Sequence, residues 1–173
     1  NGSIHVSPGA LVFTYKTALV TGDLGDNTRS LRKSICEDPI LRLVADHAPD
    51  SQMYLAHTRW ASVGAINEAN CHPLNNFALD GEPREQWDFL PARKQYPFYG
   101  SGPWTINVVL NGDIDNYTLL KEGLQAYGCR IDPRVSTDTK IIPLMIERHL
   151  LEGHDLKEAF RRAVNDFEGS HAI

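Results

Sequence analysis

The spacing of apolar positions changes several times along the chain, and each change marks an element. Residues 10–21, ALVFTYKTALVT, are dense in β-branched and aromatic side chains and predict a strand region, which GDLGDN ends. NTRSLRKSICE (27–37) predicts a helix. A second helix is expected from Asp38-Pro39, a capping residue ahead of a proline at the first helical position, with Ile40, Leu43, Val44 and His47 on one face. SQMYLAHTRW (51–60) predicts the next strand. Residues 75–103 hold four prolines and no sustained period, the signature of a long loop or insertion, and WTINVVLNG (104–112) predicts a strand ending in a turn.

Three helices are expected to follow. DNYTLLKEGLQAYG (115–128) opens on Asp115 and closes at Gly128. TDTKIIPLMIERHLLEG (137–153) is capped by Thr137 and closed by Gly153, with a kink or a local start at Pro143. DLKEAFRRAVNDFEG (155–169) places Asp155 three residues ahead of Glu158, close to a capping box, and SHAI at the end reads as an opening strand. Strands and helices come in runs rather than in strict βαβ alternation. That order favours an α+β layered fold, one domain over residues 1–173.

Composition narrows the function classes. Of 173 residues, 42% are hydrophobic and 23% charged, ordinary for a globular domain. The net charge is −5, and only RSLRK (29–33) and RR (161–162) approach a basic cluster. Both fall on amphipathic helices and read as solvated faces, so no nucleic-acid partner is expected. No apolar run reaches the roughly 18 residues of a membrane span and no signal peptide is visible, which predicts a cytoplasmic protein without a membrane partner. Three cysteines, Cys36, Cys71 and Cys129, include no C-x-x-C pair, and seven histidines include no H-x-x-x-H pair. Neither a disulfide framework nor a metal site is predicted, and no cofactor. The chain begins at Asn1, and both termini read as cut from a longer polypeptide.

Three constellations carry candidate chemistry. The first is Arg59-Trp60 with Ser62 and Gly64, in HTRWASVG. Arg59 reads either as half of a structural ion pair or as a fork for a ligand carboxylate. The second is Asn111-Gly112 after VVL, either a hairpin turn or an amide and a glycine N–H converging as an oxyanion hole. The residues that follow read as a helix rather than a returning strand, which favours the second reading. The third is Asp138 in Thr137-Asp138-Thr139, either a stabiliser of its helix N-terminus or an anion for an ammonium group. Arg59 and Asp138 together have the types needed to hold a zwitterionic α-amino acid. Their spacing in sequence cannot bring them together.

A family resemblance supplies that link. HTRWASVG followed by NEANCHP resembles the H-T-R-W-A-T-x-G…N-A-H-P signature of class II glutamine amidotransferases. VVLNGDIDNYTLLKEGL resembles their H-N-G-x-I-x-N segment, and the stretch from STDTK to SHAI resembles their T-D-T-E run. By pattern these motifs, in register over most of residues 51–173, are most similar to the glutaminase domains of glutamine–fructose-6-phosphate aminotransferases. The resemblance implies an N-terminal-nucleophile hydrolase fold, four layers αββα, whose N-terminal portion is incomplete here. It implies Arg59 on the carboxylate of L-glutamine, Asp138 on its ammonium, Trp60 and Ser62 at pocket positions, and Asn111 with Gly112 as the oxyanion hole. It also implies a sugar-phosphate isomerase domain in the same parent chain as the ammonia acceptor's module. A homo-oligomer stays open.

The departures matter as much. The family's nucleophile is a cysteine at the mature N-terminus, acting through a thioester, and this chain begins NGSIH. The nucleophile is expected upstream. Cys71, ahead of His72-Pro73, is expected to be a packed cysteine. The histidine before the family's N-G is Leu110, and Val63 replaces a second pocket histidine. Two other readings follow: a domain that binds glutamine without cleaving it, and a serine hydrolase built on Ser62.

Overall fold

A computed structural model describes residues 2–7, 10–19, 25–47, 49–59, 61–77, 105–127, 129 and 131–173. A hairpin opens it: β1 (Gly2–Ser7) pairs antiparallel with β2 (Ala10–Tyr15), in register from Gly2 opposite Tyr15 to Ser7 opposite Ala10. The predicted strand region is therefore shorter than 10–21, and its partner lies upstream in residues without a marked strand pattern. Helix α1 (Asp26–Glu37) and helix α2 (Pro39–Asp46) fall where the pattern puts them. Asp38 Oδ1 accepts from Ile40 N–H at 2.8 Å and Leu41 N–H at 3.0 Å, while Oδ2 takes the Tyr15 hydroxyl at 2.7 Å. One carboxylate thus caps α2 and ties it to β2.

The strand predicted over 51–60 does not form: residues 51–59 make no ladder among the described residues. Met53 and Tyr54 are 95% and 85% exposed. Strand propensity measures fit to a pleated, half-buried surface, and here no surface receives it. The strand predicted over 104–112 is also broken. It appears as β4 (Asn107–Val108), antiparallel to β3 (Leu74–Asn75), and β5 (Asn111–Gly112), antiparallel to β6 (His171–Ala172). The long loop of 75–103 lies outside the described residues beyond Phe77.

Helix α3 (Tyr117–Ala126) starts later than Asp115, with Asn116 at its N-cap. The Asn116 side chain does not cap. Its amide donates to Asp166 O at 2.8 Å and its oxygen accepts from Glu168 N–H at 3.1 Å, so it clamps the segment that leads to β6. Residues 138–140 form a 3₁₀ turn ahead of helix α4 (Ile141–Leu151). Pro143 sits in the first turn of α4, where its missing N–H costs no helical bond. Thr137 gives no side-chain cap; its hydroxyl turns to Asp138 and Thr139. Helix α5 (Leu156–Asn165) is capped as expected, Asp155 Oδ1 accepting from Glu158 N–H at 2.8 Å.

IIPLMIERHLL is apolar nearly all round, and such a helix must be surrounded. α4 accordingly runs through the core, packed on α5, α3, β3 and β4, with Ile141, Ile142, Met145, Ile146 and Leu151 almost wholly buried. Both basic clusters are solvated faces: Arg29 pairs with Asp26, and Arg161 and Arg162 both reach Glu158 at 2.7 Å. No described helix is long and apolar enough to cross a membrane.

Candidate active site

The second constellation is shaped by a close approach. Gly112 has φ +131°, and a Cβ there would lie 2.0 Å from Ser170 O. Only glycine lets β5 lie against β6 at this point. Asn111-Gly112 is therefore not a hairpin turn: its partner strand is His171–Ala172, at the far end of the chain. Asn111 is exposed, and its amide has no hydrogen-bond partner among the described residues.

Gly64 makes a similar approach. At φ +86° it packs on Ser136, whose backbone carbon and oxygen would lie 2.8 Å from a Cβ. The two segments are locked by Asn70, which is fully buried. Its amide nitrogen donates to Ala65 O at 2.9 Å and Ser136 Oγ at 3.2 Å, and its oxygen accepts from Ser136 N–H at 2.8 Å and Thr137 N–H at 3.2 Å. This one side chain fixes the loop after Arg59 against the turn that carries Asp138. Asn70→Ala leaves three backbone groups without their partner, so it should cost about 2–3 kcal/mol of stability. Urea unfolding of the variant measures it, and a loss below about 0.5 kcal/mol would remove Asn70 from this role.

The consequence is a cavity of about 350 Å³ lined by residues from three distant stretches, among them Arg59, Ser62, Asn111, Gly112 and Asp138. The described site residues proposed from sequence all border it. Trp60 lies outside the described residues. Arg59 is half-buried, spends one guanidinium N–H on Val63 O, and meets no carboxylate among the described residues. The structural ion pair, one of its two readings, is thus not found there. Ser62 donates to Asp113 Oδ1 and has no imidazole partner among the described residues, so nothing there activates it as a nucleophile.

Asp138 is buried and serves structure first. Oδ1 accepts from Thr139 N–H at 2.7 Å and from the hydroxyls of Thr137 and Thr139 at 3.2 and 3.3 Å; Oδ2 accepts from Ile114 N–H at 2.9 Å. Its role at the helix start is therefore real, and it also anchors the backbone just beyond Asn111-Gly112. A carboxylate has about four acceptor positions. Oδ2 uses one of its two, leaving the other for a cationic donor.

Two histidines escaped the residue-by-residue reading. His72 accepts from Leu110 N–H at Nδ1 (3.4 Å), which leaves Nε2–H to donate to Thr139 Oγ1 at 3.0 Å. A hydrogen-bonded path thus runs from the residue before Asn111 through His72 and Thr139 to Asp138. His57 lies beside it, ring centroids 4.4 Å apart, with Nδ1 buried and without a hydrogen-bond partner among the described residues. Burial, with the charges of His57, Arg59 and Lys16, pushes His72 down from 6.5 to about 4. Burial and Arg59 push His57 down as well. Both sit inside the quoted motifs, HTRW and CHP, which was the available signal.

The sign of the resulting pH effect is fixed. The folded chain holds His72 neutral while the unfolded chain protonates it below about 6.5, so stability falls as pH drops from 6.5 toward 4. Between pH 7 and 5 the loss should be about 1 kcal/mol, below the full linkage value because the ring borders a cavity reached by water. Urea unfolding of wild type and His72→Asn at both pH values tests it; an equal slope in the two proteins would contradict it.

No protein-family model matches the chain. Curated relatives do. The chain is 32% identical over 124 residues to "Glutamine--fructose-6-phosphate aminotransferase [isomerizing]" of Sulfurisphaera tokodaii, covering 72% of this chain and 16% of the relative. The protein of that name from Methanothermobacter thermautotrophicus is 34% identical over 121 residues (70% and 16%), and that from Halalkalibacterium halodurans 31% over 134 (77% and 18%). The chain thus spans less than a fifth of the length of these relatives. Over about seven-tenths of its own length, it is a homologue of a segment of the glutamine–fructose-6-phosphate aminotransferases and resembles their glutaminase domain.

Proposed function

We propose that the cavity binds L-glutamine and that this domain hydrolyses it to glutamate and ammonia within a longer polypeptide. The observation that carries the reading is the convergence of Arg59, Asn111 and Asp138 on one cavity from three separated stretches. Arg59 takes the α-carboxylate through the guanidinium donors not used on Val63. The second acceptor position of Asp138 Oδ2 takes the α-ammonium. Asn111, whose amide is uncommitted, and Gly112 face the side-chain amide and stabilise the oxyanion as its carbonyl is attacked. The resemblance implies a thiol nucleophile from a terminal cysteine, a four-layer αββα frame, and a sugar phosphate receiving the ammonia by way of an isomerase domain. These belong to the same proposal.

A second reading has its own support. None of the described residues lining the cavity is a cysteine: Cys36 is exposed on α1, Cys129 is packed in the core, and the Cys71 thiol donates to Thr17 O and Asn67 O at 3.4 and 3.3 Å. A domain of this kind without a thiol would bind glutamine and release nothing. Incubating the full-length polypeptide with glutamine labelled at the amide nitrogen separates the two. Equal amounts of glutamate and labelled ammonia are expected; binding with no glutamate formed would overturn hydrolysis in favour of the second reading.

A further inference from the structure

The C-terminal end of α4 gathers ligand-type side chains that the cavity does not use. The helix ends in a complete Schellman arrangement. Gly153 has φ +94°, His154 N–H donates to His149 O at 3.1 Å, and Gly153 N–H donates to Leu150 O at 3.0 Å. This motif brings the side chain three places before the cap over the one two places after it, commonly as an apolar pair. Here the pair is His149 and His154, with ring centroids 6.1 Å apart. The cap residue Glu152 joins them, its Oε2 2.9 Å from His149 Nδ1. One ligand atom from each of the three lies within 4.8 Å of the others, the one such trio among the described residues. A search for H-x-x-x-H cannot find it, because the turn, not a helical face, makes residues five apart neighbours.

An apolar pair would satisfy the turn at lower cost. His149 is only 7% exposed, and its Nε2 is buried with no hydrogen-bond partner among the described residues. Burying such a nitrogen without a partner carries a desolvation cost that a leucine would not incur. The Glu152 carboxylate, exposed at the cap, faces this histidine pair. Arg148 Nε meets its other oxygen at 3.1 Å while the guanidinium stacks on Tyr127, which sets the carboxylate's direction. Arg148 is also the adverse charge that a bound cation would face.

We propose that His149, Glu152 and His154 form a site for a divalent transition-metal ion of the zinc type. Two imidazoles and a carboxylate suit such an ion, and water would fill the remaining coordination positions. Bonds to nitrogen and oxygen of about 2.0–2.2 Å require the ligand atoms to close in from their present spacing. The exposed Glu152 and half-buried His154 can rotate to do so around the fixed His149. The ion would tie the end of α4 to the turn that leads into α5. The site is separate from the cavity and independent of the glutamine reading.

The test is a calorimetric titration of the 173-residue chain with zinc chloride, alongside nitrogen-detected spectra of the histidine rings. One ion per chain is expected, with the His149 and His154 signals moving together. Because His149 is buried and its replacement could unfold the chain, the informative variants are His154→Asn and Glu152→Gln, each weakening the affinity at least tenfold with an unchanged circular dichroism spectrum. Cys36→Ser should leave binding as it was. Zinc binding unaffected by the two variants would place the ion elsewhere and overturn the proposal, as would no heat and no movement of the two rings at millimolar zinc.

Discussion

Replacing Arg59 by alanine is expected to weaken L-glutamine binding by about 2–5 kcal/mol, roughly 30- to 5000-fold in affinity. Arg59 is half-buried at the cavity, commits one N–H to Val63 O, and meets no carboxylate among the described residues. A guanidinium desolvated that far without an anionic partner is costly, and a ligand carboxylate would offset the cost through two parallel hydrogen bonds. Arg59→Lys keeps the charge and loses the fork, so it should recover only part of the affinity. Calorimetry on the three proteins checks the assignment. Equal affinity in wild type and Arg59→Ala would mean that the carboxylate lies elsewhere.

Asn111→Ala, in the full-length polypeptide, is expected to lower kcat for ammonia release by roughly 10² to 10³ with little change in KM. β5 is held against β6, and Asp138 fixes the Ile114 N–H just beyond, so the backbone that carries the Asn111 amide is anchored on both sides. An amide donor whose hydrogen bond strengthens as charge develops on the oxygen during attack favours the transition state over the bound substrate, which is why the loss falls on kcat. A loss confined to KM would assign Asn111 to ground-state binding.

Helices were the legible part of the fold, because their period and caps are local. Asp38-Pro39 starts α2 and Asp155 caps α5 through contacts two or three residues away. Strands needed information that no window contains. SQMYLAHTR has the composition of a strand but no partner among the described residues, while the plain stretch Gly2–Ser7 is a strand because β2 lies beside it. The start of α3 differs from the expected Asp115 for a similar reason: at its N-cap the Asn116 side chain is taken by Asp166 and Glu168, just beyond α5.

The site divides along the same line. The residue types at Arg59, Asn111 and Asp138 were readable, and their grouping came from the family resemblance rather than from spacing. The cavity brings those three together. What holds it, the Asn70 clamp on Ser136 and Thr137 and the path from Leu110 through His72 to Thr139, depends on contacts 38 to 67 residues apart in the chain. Nothing in local sequence marks such pairs.

The most direct test of the glutamine pocket is a calorimetric titration of the chain with L-glutamine and, separately, D-glutamine. An arginine fork, an aspartate and an amide site at three fixed points can satisfy only one enantiomer. Saturable binding of one L-glutamine per chain, at least tenfold tighter than D-glutamine, is the predicted result. No binding of L-glutamine, or equal binding of the two, would contradict the account.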